Sequence, residues 1–94
     1  MEGWVKIYRS LEEKGYYKDS HYVHLWVHFL LKANHQAKEF MHGGQMIKVK
    51  RGQFITGRNT LSIETGINSS KIERIILCFK NEHQIEQVSF TNSA

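Results

Sequence analysis

A chain of 94 residues with one cysteine, no proline and a formal charge of +4 has room for one hydrophobic core and cannot form an intramolecular disulfide. No stretch approaches the ~20 apolar residues of a membrane span, and the amino terminus lacks the charged-then-apolar layout of a secretory leader, so the expectation is a cytoplasmic chain with no membrane partner. The mild positive excess favours nucleic acid or another acidic partner, and the lack of repeats, low-complexity runs or a linker points to one domain over residues 1–94.

Trp4, Val5, Ile7, Tyr8 and Leu11 are spaced for a short amphipathic helix closed by Gly15. Tyr16 and Tyr17 follow in a loop whose rings fold back onto the core, and Asp19 or Ser20 can cap the next helix. From His21 to about Asn34 the chain is apolar over most of a helical circumference, which predicts a central core helix. At about 100° per residue, His21, His24, His28, Lys32 and, if the helix continues, His35 form one polar stripe. His24 and His28 have the spacing that places two imidazoles on one metal ion, but no cysteine or close carboxylate completes a ligand set. The expectation is therefore a solvated or interface-facing stripe, with no metal and no cofactor. If its members charge together in acid they repel one another, which predicts weaker folding or association below about pH 6.

Beyond Asn34, Glu39-Phe40-Met41 and Gln45-Met46-Ile47-Lys48-Val49-Lys50 flank His42-Gly43-Gly44 and read as an antiparallel β-hairpin. Met46 or Ile47, with Val49, supplies its apolar contacts, while Lys48, Lys50 and Arg51 face water as a solvated edge or as phosphate contacts. Gly52 then turns the chain into a further short strand, Gln53 to Thr56.

The segment 57–82 reads as helix, tight turn, helix. Leu61 and Ile67 bracket the turn, Ile72 and Ile75 face the core, and Ser62 is small where the second helix crosses. Gly66 occupies the turn position that disfavours a Cβ. Asn68 caps the second helix, with Ser69, Ser70 and an alternative Ser70-to-Glu73 capping box close behind. Ile72, Ile75, Ile76 and Phe79 recur at helical spacing, which leaves Ser69, Ser70, Lys71, Glu73 and Arg74 at the outer surface as a candidate reading face. From Gln84 to Phe90 the chain has strand character and 91–93 turn character, so a wing begins without its returning strand: it is truncated, or the chain is cut from something longer. The fold class expected is α+β, mainly helical: a winged helix-turn-helix with a small antiparallel hairpin, its helix-turn-helix at about 57–82 and its truncated wing at about 84–94.

Such an arrangement predicts a non-enzymatic binder of double-stranded DNA, because the major groove admits one α-helix and its base edges carry a distinguishable code. Asn68, Ser69, Ser70 and Arg74 reach bases or nearby phosphate, Glu73 accepts from cytosine, and Lys71 with Arg58 and Asn59 fixes the backbone. Chemistry has little support: Gly43-Gly44 lacks the Lys-Ser or Lys-Thr of a phosphate loop, and Cys78, inside an apolar run, has no evident base. The modest charge, the acidic Glu73, Glu82 and Glu86 and the aromatic-rich amino-terminal half leave a protein-interaction or oligomerisation module as one alternative, and a helix-turn-helix serves a transcriptional regulator equally well.

The order of Gly3-Trp4-Val5-Lys6-Ile7-Tyr8-Arg9, Leu31-Lys32-Ala33-Asn34-His35, Lys50-Arg51-Gly52-Gln53-Phe54-Ile55 and the helix-turn-helix resembles the amino-terminal domains of phage replisome-organiser and replication-initiation proteins. The primosomal protein DnaD carries a related winged-helix domain. The resemblance spans nearly the whole chain and implies a domain of a phage or prophage protein that binds duplex DNA at a replication origin or helps assemble the primosome. It further implies self-association and contact with a helicase or its loader. Two features depart from that pattern: Lys71 and Arg74 are the only cations near the start of the reading helix, with Glu73 between them, and the wing is short.

Overall fold

Asp19 starts the first helix: its carboxylate accepts the backbone N–H of His21 at 3.0 Å, satisfying one of the donors that a helix start leaves open. In the computed structural model, which describes residues 5–34, 36–82 and 84–85, helix α1 (Ser20–Lys32) is followed by strands β1 (Lys38–His42) and β2 (Gln45–Val49) and helices α2 (Arg58–Thr65) and α3 (Ser69–Asn81). The fold is α+β and mainly helical.

The hairpin forms as its sequence predicts. Gly43 and Gly44 both take positive φ, 61° and 80°, as a two-residue turn matched to the twist of the strands requires. This sets the register Met41 opposite Met46 and Phe40 opposite Ile47. Ile47 and Val49 are buried, while Met46 lies outward.

Leu25 and Phe29 of α1, Leu61 of α2, Ile67 of the turn and Ile72, Ile75 and Phe79 of α3 form the core. Phe79 is its hub: the rings of Trp26, Tyr16, Phe29 and Tyr22 lie 5.3, 5.5, 5.8 and 6.3 Å from it, edge-on or tilted, the arrangement that aromatic quadrupoles favour. Tyr16 also stacks on Tyr22 and donates its hydroxyl to Gln84 Oε1 at 2.6 Å. Partial burial pushes its phenol above the ordinary value, against the opposing pull of that hydrogen bond.

Three expectations are corrected. The amino-terminal amphipathic helix is absent from the described residues: residues 5–8 carry no regular secondary structure and a 3-10 helix, Arg9–Glu13, follows. Ile7 and Tyr8 are 54% and 71% exposed while Leu11 is buried, and a short helix whose apolar face is largely uncovered does not overcome its nucleation cost. Trp4 lies outside the described residues. Gln53 to Thr56 forms no strand, because the Gln53 carbonyl is committed to Asn34, whose backbone N–H and Nδ2 donate to it at 3.1 and 2.6 Å. The first long helix is amphipathic rather than central: it buries Leu25 and Phe29 but leaves Leu31 at 62% exposure, since the other helices cover one side of it. The expected wing falls almost wholly on residues 86–94, outside the described residues.

The turn between α2 and α3 is built as expected. Gly66 closes α2 in the left-handed region at φ 79°, and its N–H donates to the Ser62 carbonyl. The Thr65 hydroxyl donates to the Leu61 carbonyl and accepts from the N–H of Ile67, a brace not foreseen from sequence. Nothing lies within 4 Å of a Cβ added at Gly66, so Gly66→Ala meets only the backbone penalty of a left-handed residue. It is expected to lower the urea-unfolding free energy by about 1 kcal/mol, with Gly66→Asn losing less.

Candidate nucleic-acid interface

The second helix of the pair begins where Asn68 caps it: the Asn68 side chain accepts the N–H of Ser70 at 2.8 Å. Asn68 is thus a structural cap, and the alternative capping box is not used. From this start, Ile72, Ile75, Ile76 and Phe79 project toward the core, and Ser70, Glu73, Arg74, Leu77 and Asn81 project from the opposite side, a sector about 100° wide. All five of these outer residues are exposed. Ser69 and Lys71 fall on the flanks and are half-buried. The exposed face expected from periodicity is therefore present, and of the candidate reading residues on α3 it holds Ser70, Glu73 and Arg74. Leu77, 56% exposed within it, was missed; the same helical spacing that assigns the other residues puts it there.

The charged side chains are brought together more closely than their separation in sequence suggests. Arg58, at the start of α2, places Nη1 2.6 Å from Glu73 Oε2, so two predicted DNA contacts face each other across the helix pair. Lys71 Nζ lies 3.2 Å from Asp19 Oδ2, linking α3 to the cap of α1. Among the described residues Arg74 has no carboxylate within ion-pair distance. Asn59 is exposed beside Arg58. Lys48, Lys50 and Arg51 are exposed on β2 and the loop leaving it, a separate element from the reading helix; Lys48 stands opposite Glu39 in the hairpin register.

The histidine stripe is not uniformly solvated. His21 and His24 are exposed, whereas His28 Nε2 lies 2.8 Å from Glu64 Oε1 and Lys32 Nζ lies 3.8 Å from Glu64 Oε2. His35 lies outside the described residues. A carboxylate therefore stands against the stripe after all, contributed by α2, which is distant in sequence. Among the described residues no three potential ligands are grouped to hold a metal ion, and no helix is long and apolar enough to cross a membrane. Lys32 and Glu64 also line a cleft of about 360 Å³ with Phe40, Met41 and Phe54.

The hydrogen bond with His28 holds the Glu64 carboxyl below its ordinary 4.5; partial desolvation opposes this and Lys32 adds to it. At Asp19 desolvation pushes upward, but the hydrogen bonds from Lys71 and the His21 N–H, together with their charges, bring the group below its ordinary 3.8. A lowered carboxyl stabilises the fold above its unfolded value and ceases to do so as pH falls through its folded one. Acid lability is accordingly expected below about pH 4.5, lower than the region near pH 6 that mutual histidine repulsion predicted. Urea midpoints should decline from pH 5 to pH 3, and Glu64→Gln should flatten part of that decline.

Compared with protein-family models, curated proteins and solved structures, the chain matches none.

Proposed function

We propose that this chain is a non-enzymatic, cytoplasmic DNA-binding domain of the winged helix-turn-helix kind, working in replication initiation of a phage or prophage. The observation that carries the binding reading is the outer sector of α3. Among the described residues it is exposed, on the side opposite Ile72, Ile75 and Phe79, and carries Ser70, Glu73, Arg74 and Leu77 in one row, with Glu73 paired to Arg58 of α2. A helix presented in this way fits the major groove. There Arg74 suits guanine or phosphate, Glu73 suits the cytosine amine, and Leu77 suits a thymine methyl. Arg58, Asn59 and Lys71 are the candidates for holding the backbone. The assignment to replication rests on the resemblance of the ordered motifs to replisome-organiser proteins.

Titration of a fluorescein-labelled duplex, read by anisotropy across a salt series, tests the binding reading. With about three to five phosphates neutralised, the logarithm of affinity should fall against the logarithm of salt with a slope of about −3 to −4.5. A flat salt response would count against it.

One observation supports a second reading, docking onto another protein or a second copy. Met41 and Met46 stand opposite each other on the hairpin at 69% and 61% exposure, and adaptable thioethers suit protein contacts. Sedimentation with and without duplex separates the two, since self-association without a DNA-dependent shift favours docking. A transcriptional regulator would share the binding surface and differ only in its site.

A further inference from the structure

Two cations expected to hold a DNA backbone are already holding carboxylates. Arg58 Nη1 is 2.6 Å from Glu73 Oε2, and Lys71 Nζ is 3.2 and 3.3 Å from the two carboxylate oxygens of Asp19. Both pairs remain reachable from solvent: the side chains of Arg58 and Glu73 are 52% and 57% exposed, those of Lys71 and Asp19 27% and 39%. Exposed pairs of this kind add little to folding. Their carboxylates present to each cation the same chemistry that a phosphate would, an anionic oxygen at hydrogen-bond distance.

We propose that Glu73 and Asp19 are internal stand-ins for phosphate, and that a duplex engages this surface by exchange, its phosphates taking Arg58 and Lys71 from their carboxylates. The inference rests on the DNA-binding reading and adds to it a restraint on affinity. Of Arg58, Lys71 and Arg74, only Arg74 meets an approaching polyanion without a carboxylate partner among the described residues. Random duplex is therefore held weakly, because each of the two exchanges returns a carboxylate to water or to the groove. A site offering a cytosine amine to the released Glu73 recovers part of that loss, so the exchange also sharpens selection.

The test uses the whole chain and a random-sequence duplex at fixed salt. Glu73→Gln keeps a good helix former, and Asp19→Asn keeps a side-chain oxygen to cap α1, so urea midpoints near the parent's are expected for both. Each should tighten binding by about two- to fivefold, the scale of an exposed ion pair. The Glu73→Gln gain should vanish when Arg58 is alanine. An equal gain with and without Arg58 overturns the exchange, since Glu73 would then simply repel phosphate. If neither the parent nor any variant binds duplex in a salt-dependent way, the DNA-binding reading itself fails, a result distinct from binding without coupling.

Discussion

Replacing Phe79 by alanine is expected to remove about 3–5 kcal/mol of stability, the largest loss from a single truncation among the described residues. Phe79 has no exposure, and four other rings surround it. The variant loses the transfer energy of the ring and leaves a hole bounded by side chains from α1, the Tyr16 loop and α3 itself. Those walls resist collapsing together, because Tyr16 is tied to Gln84 and α1 is linked to α2 through His28–Glu64 and to α3 through Asp19–Lys71. A domain of this size has about 5–15 kcal/mol in total, so urea unfolding should show either a midpoint reduced by a large fraction or a population already partly unfolded in buffer. Leu77→Ala, two positions earlier on the same helix, provides the contrast. Leu77 is 56% exposed on the opposite face, and its truncation should stay within about 0.5 kcal/mol. Similar losses at both positions would contradict the assigned orientation of α3.

That orientation was legible from spacing alone. Ile72, Ile75, Ile76 and Phe79 specify one face of a helix, Asn68 marks its start, and Gly66 marks the end of the helix before it; each is a local signal within one or two turns of chain. The hairpin was legible for the same reason, since Gly43-Gly44 between two short runs dictates a turn without reference to the rest of the fold. What was not legible depends on contacts across the chain. Glu64 meets His28, 36 residues away, and Asp19 meets Lys71, 52 residues away; no periodicity connects such pairs. The helix expected over residues 4–11 fails for the opposite reason: its local pattern is helical, but among the described residues no second surface covers Ile7 and Tyr8. For the candidate interface, composition identifies the cations but not which of them are already paired. Arg58 and Lys71 count as free positive charges in the sequence and are each paired with a carboxylate in the fold.

On the proposed DNA-binding reading, this difference between counted and accessible charge makes Arg74 the residue whose replacement tests binding most sharply. Arg74→Ala is expected to weaken duplex binding by about 1–3 kcal/mol, roughly 5- to 150-fold, if the guanidinium reads a base. If it holds phosphate instead, the loss should be uniform across duplex sequences and the salt slope should become shallower by about one. Folding should be nearly unaffected, because the side chain is exposed and breaks no ion pair seen among the described residues. Unchanged binding by this variant would remove α3 as the reading helix. Arg58→Ala should cost less than Arg74→Ala even if both side chains touch DNA. In the parent, Arg58 must leave Glu73 before it reaches phosphate, so part of what its contact contributes is offset by the pair it gives up. Anisotropy titrations of both variants on one duplex, at one salt concentration, measure that difference directly, and the reverse ranking would place the dominant contact at the start of α2.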